Sequence, residues 1–433
     1  MIDPVTEYRT KLTTAAELAA RVENGWCIGT DAALSSPEGF LTALSLRAER
    51  EDLSGIWVQT MLDVYPFSFY RDSALSGKLN GISWFSGAGA RKAVNAGFAD
   101  LMPGYYRDMP SLIRENRSYD AVVLSVSPMD SHGYFSLSCT TSYSEAMLDK
   151  AARIFVEVNP RLPRAVRGSQ LHISRVDGIC ENEHPLPVMP VHEPDQVSSV
   201  IGGFIAERIP DGACIQLGIG AIPDAVGAAL KSKHDLGIHT ELFTDSMVEL
   251  LECGAVNNSR KQIHRYRSVT TFAYGSQRIY DYIDDNPSIE ILPVEYVNDP
   301  AVICRNDHMV SINAAVEVDL FGQVCAESIG TKHMSGSGGQ VDYVRGACQS
   351  RGGMSFIAFS STTKGISKIR SSLSPGAVVT TSKNDVDYIV TEYGVAHLRG
   401  ESLASRAKQL ISIAHPDFRD ELIFDAKKRG FMI

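Results

Sequence analysis

Three stretches of the sequence carry residue types suited to chemistry. Glu241 stands in HTELFTDS, where a carboxylate leaving an apolar segment is partly desolvated and so more nucleophilic, or more readily protonated, than a surface glutamate. Taken alone it is ambiguous, since a single glutamate is more often an ion-pair partner or a helix-terminus charge. IQLGIGAIPDAV sets Gly218, Ile219 and Gly220 ahead of Ala221 and Ile222, and glycines between a strand and a helix let main-chain N–H groups approach an anion at the positive helix end. As a dinucleotide fingerprint this segment is defective, because Pro223 occupies the place of the third glycine, although Glu241 follows Gly220 by 21 residues, about where a ribose-binding acid belongs. A nicotinamide site, a structural tight turn, and an anion, pyrophosphate or oxyanion site all stay open. In MSGSGGQVDYVRGA, Gly336, Gly338 and Gly339 crowd one loop, which either serves backbone geometry or presents N–H donors to a developing oxyanion.

Other chemistries lose their usual support. There is no GxSxG elbow, no GxxxxGK(S/T), no HExxH and no EF-hand loop. The eight cysteines are 21 or more residues apart with no CxxC, and the eleven histidines are dispersed, so no metal site and no disulfide framework is expected. A net charge of -10 repels a phosphate backbone, which argues against nucleic-acid binding and a polybasic membrane anchor. The N-terminal MIDPVTEYRTKLT mixes both charges, and no run of 18 apolar residues occurs, so the reading is a cytoplasmic protein without a membrane span.

The elements that must position these residues come next. At 433 residues the length prior is two to three domains, and 44% hydrophobic with 21% charged residues supports full cores. ENEHPLPVMPVHEP, with Pro185, Pro187, Pro190 and Pro194, sustains neither helix nor central strand, which predicts a linker over 185–194 between domains at 1–184 and 195–433. Val197, Val200, Ile201, Phe204, Ile205 and Ile209 then form the stripe of an amphipathic helix opened by Pro194 and Asp195. The halves also resemble each other. NGWCIGTDAALSSPEGFLTAL pairs with DGACIQLGIGAIPDAVGAAL at offsets of 186 to 187, and VSPMDSHGYFSLS pairs with VEVDLFGQVCAES at an offset of 189, aligning Asp130 with Asp319 and Gly133 with Gly322. This predicts a duplicated strand–loop–helix unit with Pro37 and Pro223 at the first helical position. GIHTELF reads as a buried strand followed by a Ser246/Glu249 capping box, the helix MVELLE and a Gly254 stop. Such alternation predicts an α/β fold with mostly parallel sheets covered on both faces, and ligands bind outside the carboxyl ends of the strands, where Glu241 and Gly218–Gly220 would sit. His239 shares the face of Glu241 and is read as structural.

Assembled in chain order, LGIGAIPDAVGAAL, DLGIHTELFTDS, INAAVEVDLFGQVCAES, GSGGQVDYVRGA, VTEYGVAHLRG and AHPDFRDEL resemble the acetyl-CoA hydrolase/transferase family, which includes 4-hydroxybutyrate, butyrate and succinate CoA-transferases. The resemblance implies two similar open α/β/α domains with the active site between them. It makes Glu241 the nucleophile that becomes a glutamyl-CoA thioester, and draws oxyanion donors from the main chain at Gly218 to Ile222 and Gly338 to Gly339. Asn298 in EYVNDPAVI and Glu392 in VTEYG match a polar residue and a second carboxylate near that glutamate. The implied activity is ping-pong transfer of CoA between a short-chain acyl-CoA and a free acid of the acetate, butyrate, 4-hydroxybutyrate, succinate or itaconate class. Coenzyme A is then a co-substrate, with no permanently bound cofactor, and a homodimer is implied. An acyl-CoA hydrolase on the same residues and a noncatalytic CoA- or nucleotide-binding protein are the alternatives. Tyr65, Tyr70 and Arg71 in VYPFSFYRDS are candidates either to approach the acyl group or to pack the surface.

Overall fold

A computed structural model describes residues 3–51, 53–189 and 194–431; Pro190 and residues 191–193 of the expected linker lie outside the described residues. The chain forms two compact units, Met1–Pro190 with Val269–Val297, and Val191–Ser268 with Asn298–Ile433. Sequence reasoning assigns 269–297 to the second domain, but main-chain bonds hold it in the first. Ala273 N–H donates to Cys139 O (2.8 Å), Ile291 N–H to Arg167 O (3.1 Å) and Val294 N–H to Ser142 O (2.8 Å). The described part of the Pro-rich stretch docks on the same segment, with the Tyr280 hydroxyl donating to Pro187 O (2.6 Å) and Met189 N–H to Gly275 O (2.9 Å).

In the first unit eight strands make one sheet, in the spatial order Leu12–Thr13, Gly178–Glu181, Ile154–Val158, Ala121–Val126, Cys27–Gly29, Ile56–Thr60, Leu79–Ser83 and Ala99–Leu101. Every pairing is parallel. The central strands Ala121–Val126 and Ile154–Val158 are buried along their whole length, as a sheet covered on both faces requires.

The second unit carries a six-stranded sheet ordered Gly237–Ile238, Cys214–Leu217, Met309–Ala314, Met354–Ala358, Tyr388–Thr391 and Gly394–His397. It is parallel except for the last hairpin. Reading outward from Gly237–Ile238, its first five strands repeat the order Ile56–Thr60, Cys27–Gly29, Ala121–Val126, Ile154–Val158, Gly178–Glu181 of the first unit. The duplication extends to one turn. Asp130 Oδ1 accepts from the main chain of His132 and Tyr134, and Asp319 Oδ1 accepts from Phe321 and Gln323 in the same pattern. Gly133 and Gly322 close the two turns at φ of 85° and 86°.

Local details differ from expectation at four points. Pro223 is the third residue of helix Ala221–Ala229 and Pro37 is the N-cap of helix Glu38–Arg50, so neither opens its helix. The helix Gln196–Ala206 starts where expected, with Asp195 accepting from Ser198 N–H at 2.7 Å; Ile201 and Ile205 are buried, but Val200 faces outward. GIHTELF is two short strands, Gly237–Ile238 and Leu242–Phe243, broken at Thr240–Glu241, where Thr240 Oγ1 donates to Leu242 O (3.0 Å). No capping box follows: Thr244 caps helix Asp245–Glu252 without a side-chain bond, because its Oγ1 is paired with Ser246 Oγ at 3.0 Å. Among the described residues no helix is long and apolar enough to cross a membrane.

Candidate active site

The break at Thr240–Glu241 lies just past the carboxyl end of Gly237–Ile238 and releases the glutamate from the sheet. Glu241 is half-buried, and its Oε2 accepts from Nδ2 of the fully buried Asn298 at 2.7 Å. Gly339 N–H donates to the same carboxylate. Gly339 is the N-cap of helix Gln340–Gln349, so Glu241 occupies the position where a helix favours negative charge. Glycine is required here by close approach: a Cβ on residue 339 would overlap Glu241 Oε2 and Asn298 Nδ2. Gly338 reaches this geometry with a φ of 55°.

Electrostatically the site sets two effects against each other. Burial penalises the charged carboxylate, while the bonds from Asn298 and Gly339 favour it; burial wins, and the Glu241 carboxyl is pushed up to about 7. Asn298 Oδ1 is buried with no partner among the described residues, an open acceptor of a kind that typically costs about 1–3 kcal/mol. Tyr343 was not singled out from the sequence. It lies one helical turn past Gly339, and the nearby Glu241 carboxylate adds to the burial that raises its hydroxyl well above the ordinary range. The buried His239 ring stands 6.5 Å from that of Tyr343. The i, i+4 spacing from Gly339 is the signal that could have located the tyrosine.

The second glycine loop ends the neighbouring strand Cys214–Leu217, which pairs in parallel with Gly237–Ile238. Gly218 N–H is taken by Ile312 O at 2.9 Å, so it is no donor to a ligand. The first turn of helix Ala221–Ala229 has no side-chain cap, and Pro223 has no N–H, which leaves Ala221 and Ile222 as the donors this terminus can offer. Ile219 is exposed beside them. The structure thus brings Glu241, Asn298 and Gly339 into direct contact, and sets Gly336 and Gly338 on the loop that closes on them.

Glu392 follows strand Tyr388–Thr391 and makes its bonds to the neighbouring chain after strand Met354–Ala358. Its oxygens accept from Ser361 N–H (2.8 Å) and Ser361 Oγ (2.6 Å). Lys368, half-buried over the Phe359 ring, faces the same carboxylate, and burial pulls its ammonium down to about 8. The Tyr65 and Tyr70 alternatives resolve toward packing: both rings are in the core of the first unit, Tyr70 bonds Thr60 Oγ1 at 2.7 Å, and Arg71 is exposed. No group of three His, Cys, Asp or Glu side chains suited to a metal occurs among the described residues.

Two parallel α/β units sharing one strand order, with a desolvated glutamate held between an amide and a glycine-loop N–H, define the class. The acetyl-CoA hydrolase/transferase N-terminal domain matches residues 2–190 and the C-terminal domain matches residues 275–426; the chain belongs to this family. It is 47% identical over 98% of its length to the succinyl-CoA:cyclohexane-1-carboxylate CoA transferase of Geobacter metallireducens, covering 96% of that protein. It is 42% identical to the 4-hydroxybutyrate coenzyme A transferase of Clostridium kluyveri, covering 98% of both chains. The crystal structure of RipA from Yersinia pestis superposes with a TM-score of 0.93 at 38% identity, covering 100% of each chain.

Proposed function

We propose that this protein is a CoA-transferase that carries CoA between short-chain carboxylates on Glu241. The observation that carries the reading is the Glu241 carboxylate itself: half-buried, raised to about 7 by burial, and oriented by Asn298 and the Gly339 N–H. At neutral pH a large share of it is ionised and so nucleophilic, yet its charge is poorly stabilised. Glu241 attacks the carbonyl carbon of the donor thioester, the tetrahedral oxyanion collapses, and CoA thiolate leaves a mixed anhydride. The thiolate then attacks the Glu241 carbonyl, forming the glutamyl-CoA thioester and releasing the donor acid. An acceptor carboxylate reverses both steps. Each tetrahedral oxyanion needs preorganised donors, and the N–H groups of Gly339, Ala221 and Ile222 are of the right kind.

The acids fitting this reading are short monocarboxylates and dicarboxylates: 4-hydroxybutyrate and succinate, which the relatives' names carry, and itaconate, a dicarboxylate of similar size. The reading extends to a cytoplasmic homodimer. All eight cysteines are free, as a reducing compartment allows. Intact-protein and peptide mass spectrometry after mixing with acetyl-CoA or butyryl-CoA, with and without borohydride, tests the mechanism. A CoA adduct, or its reduced product, on the Glu241 peptide is expected; turnover with no adduct at any mixing time, or normal turnover in Glu241→Ala, would overturn it.

A further inference from the structure

The glycine loop that meets Glu241 is tied down by a carboxylate with no role so far. Glu327 precedes a small hairpin, Ser328–Ile329 paired with Lys332–His333. Its main-chain carbonyl accepts from Met334 N–H (2.8 Å) and Ser335 N–H (3.3 Å), where the chain leaves the hairpin. Its side chain reaches farther along the loop: Ser337 Oγ donates to Oε2 at 3.1 Å, and Thr380 Oγ1 donates to Oε1 at 3.0 Å. Thr380 is itself fixed, since its Oγ1 accepts from Ala326 N–H at 2.9 Å. The far end of the loop has a separate anchor, with Gln340 Nε2 donating to Ala314 O (2.8 Å) and Thr381 Oγ1 donating to Gln340 Oε1 (2.9 Å).

Two features separate Glu327 from an ordinary surface glutamate. It is half-buried, and among the described residues no lysine or arginine pairs with it; hydroxyl donors satisfy its side chain. With Ser337 Oγ within reach of both of its oxygens and Thr380 Oγ1 on one of them, the Glu327 side chain can hold Ser337 in one orientation. From Ser337 only Gly338, with its left-handed backbone, separates the anchor from the N–H that Glu241 accepts. Two successive glycines have no side chains to fix their own conformation, so the orientation of Gly339 is inherited from the anchors on either side.

We infer that Glu327 is a positioning residue for transfer: through Ser337 it aims the Gly339 N–H at Glu241 and at the oxyanion formed there. This rests on the proposed role of Glu241. Glu327→Ala frees Ser337 and loosens the loop, which weakens one preorganised donor. The expected result is a kcat lower by about tenfold to a hundredfold, with KM for the acyl donor within about twofold. The acid limb of the pH–kcat profile moves to higher pH, because the Gly339 bond opposes the effect of burial on Glu241. Tyr343 faces that carboxylate from the helix, with the His239 ring 6.5 Å from its own, and neither is touched by the variant.

The test compares wild type, Glu327→Ala, Glu327→Gln and Ser337→Ala by steady-state kinetics from pH 5 to 9 and by the rate of adduct formation in a single turnover. Glu327→Gln keeps an acceptor oxygen and should recover part of the rate, and Ser337→Ala should shift the acid limb in the same direction as Glu327→Ala. A kcat in Glu327→Ala within twofold of wild type overturns the inference. So does a loss of kcat that matches the loss of folded protein while the acid limb stays in place. If Glu327→Ala does not fold, an unshifted Ser337→Ala decides against it. A wild-type enzyme that never forms the Glu241 adduct removes the proposed function, whereas adduct formation at the wild-type rate in Glu327→Ala removes only this inference.

Discussion

Replacing Glu241 by glutamine should abolish transfer and, at alkaline pH, make the protein more stable. The carboxyl is raised from 4.5 to about 7, chiefly by burial. At 1.36 kcal/mol per unit this corresponds to about 3 kcal/mol, and partial exposure of the side chain reduces it to about 1–2 kcal/mol. The sign follows from proton linkage. Between 4.5 and about 7 the folded chain holds a proton at this position that the unfolded chain has released, so its contribution is full below 4.5 and is lost as pH rises through about 7. Glutamine mimics the protonated, neutral side chain and keeps an oxygen for Asn298 Nδ2. Urea titrations of both proteins at pH 5 and pH 8 provide the assay. Far-UV circular dichroism is the suitable probe, because the three tryptophans, Trp26, Trp57 and Trp84, all belong to the first unit. The variant should lie within about 0.5 kcal/mol of wild type at pH 5 and exceed it by about 1–2 kcal/mol at pH 8. A difference that does not change with pH, or a variant less stable than wild type at pH 8, would refute the assignment of burial as the cause.

Gly339→Ala should lower kcat by about a hundredfold or more, since the added methyl must displace either the nucleophile or Asn298; steady-state transfer by a variant with native circular dichroism checks it. Asn298→Ala removes a donor that opposes burial, so the acid limb of kcat/KM for the acyl donor should move above its wild-type position near pH 7, and an unmoved limb would count against the hydrogen bond. Tyr70→Phe loses the bond to Thr60 and should cost about 1 kcal/mol in urea while leaving acyl-donor preference unchanged; an altered preference would return the VYPFSFYRDS segment to the specificity question.

The parts of this molecule legible in sequence are those set by local pattern. Glycines and aspartates at one offset revealed the repeated turns at Asp130 and Asp319, because such a turn needs an acceptor side chain at its start and a left-handed residue three positions on. Glu241, Asn298 and Gly339 were each visible as residue types in suggestive segments. Their meeting was not, since it depends on chain separated by 57 residues in one case and on a helix terminus in the other. The packing of segment 269–297 on the first unit is equally hidden: its strands and helices look like the continuing second half, and nonlocal main-chain bonds to residues such as Cys139 and Ser142 join it to the first unit. Glu327 left no signal at all, because a glutamate at the end of INAAVEVDLFGQVCAES has the same local pattern whether it faces solvent or clamps a loop. The strand holding Glu241 reads as continuous in the sequence, since apolar flanks do not disclose the break at Thr240–Glu241.

That break connects stability to catalysis. A glutamate with an ordinary pKa would be fully ionised at pH 7, but attack on a thioester would then convert a well-stabilised anion into a neutral acyl derivative with nothing gained. In the proposed mechanism burial at Glu241 changes this balance, because the mixed anhydride and the glutamyl-CoA thioester would carry no charge and escape the penalty imposed on the carboxylate. Burial without donors would overshoot, raising the pKa until little nucleophile remained at neutral pH. Asn298 and Gly339 bring it back to about 7, where a useful ionised fraction coexists with a destabilised charge. On this argument the two donors and the burial act as one setting: removing a donor should slow acylation at pH 7 and be partly rescued at pH 8.5, whereas relieving burial with a polar neighbour should raise the ionised fraction and still slow the chemical step.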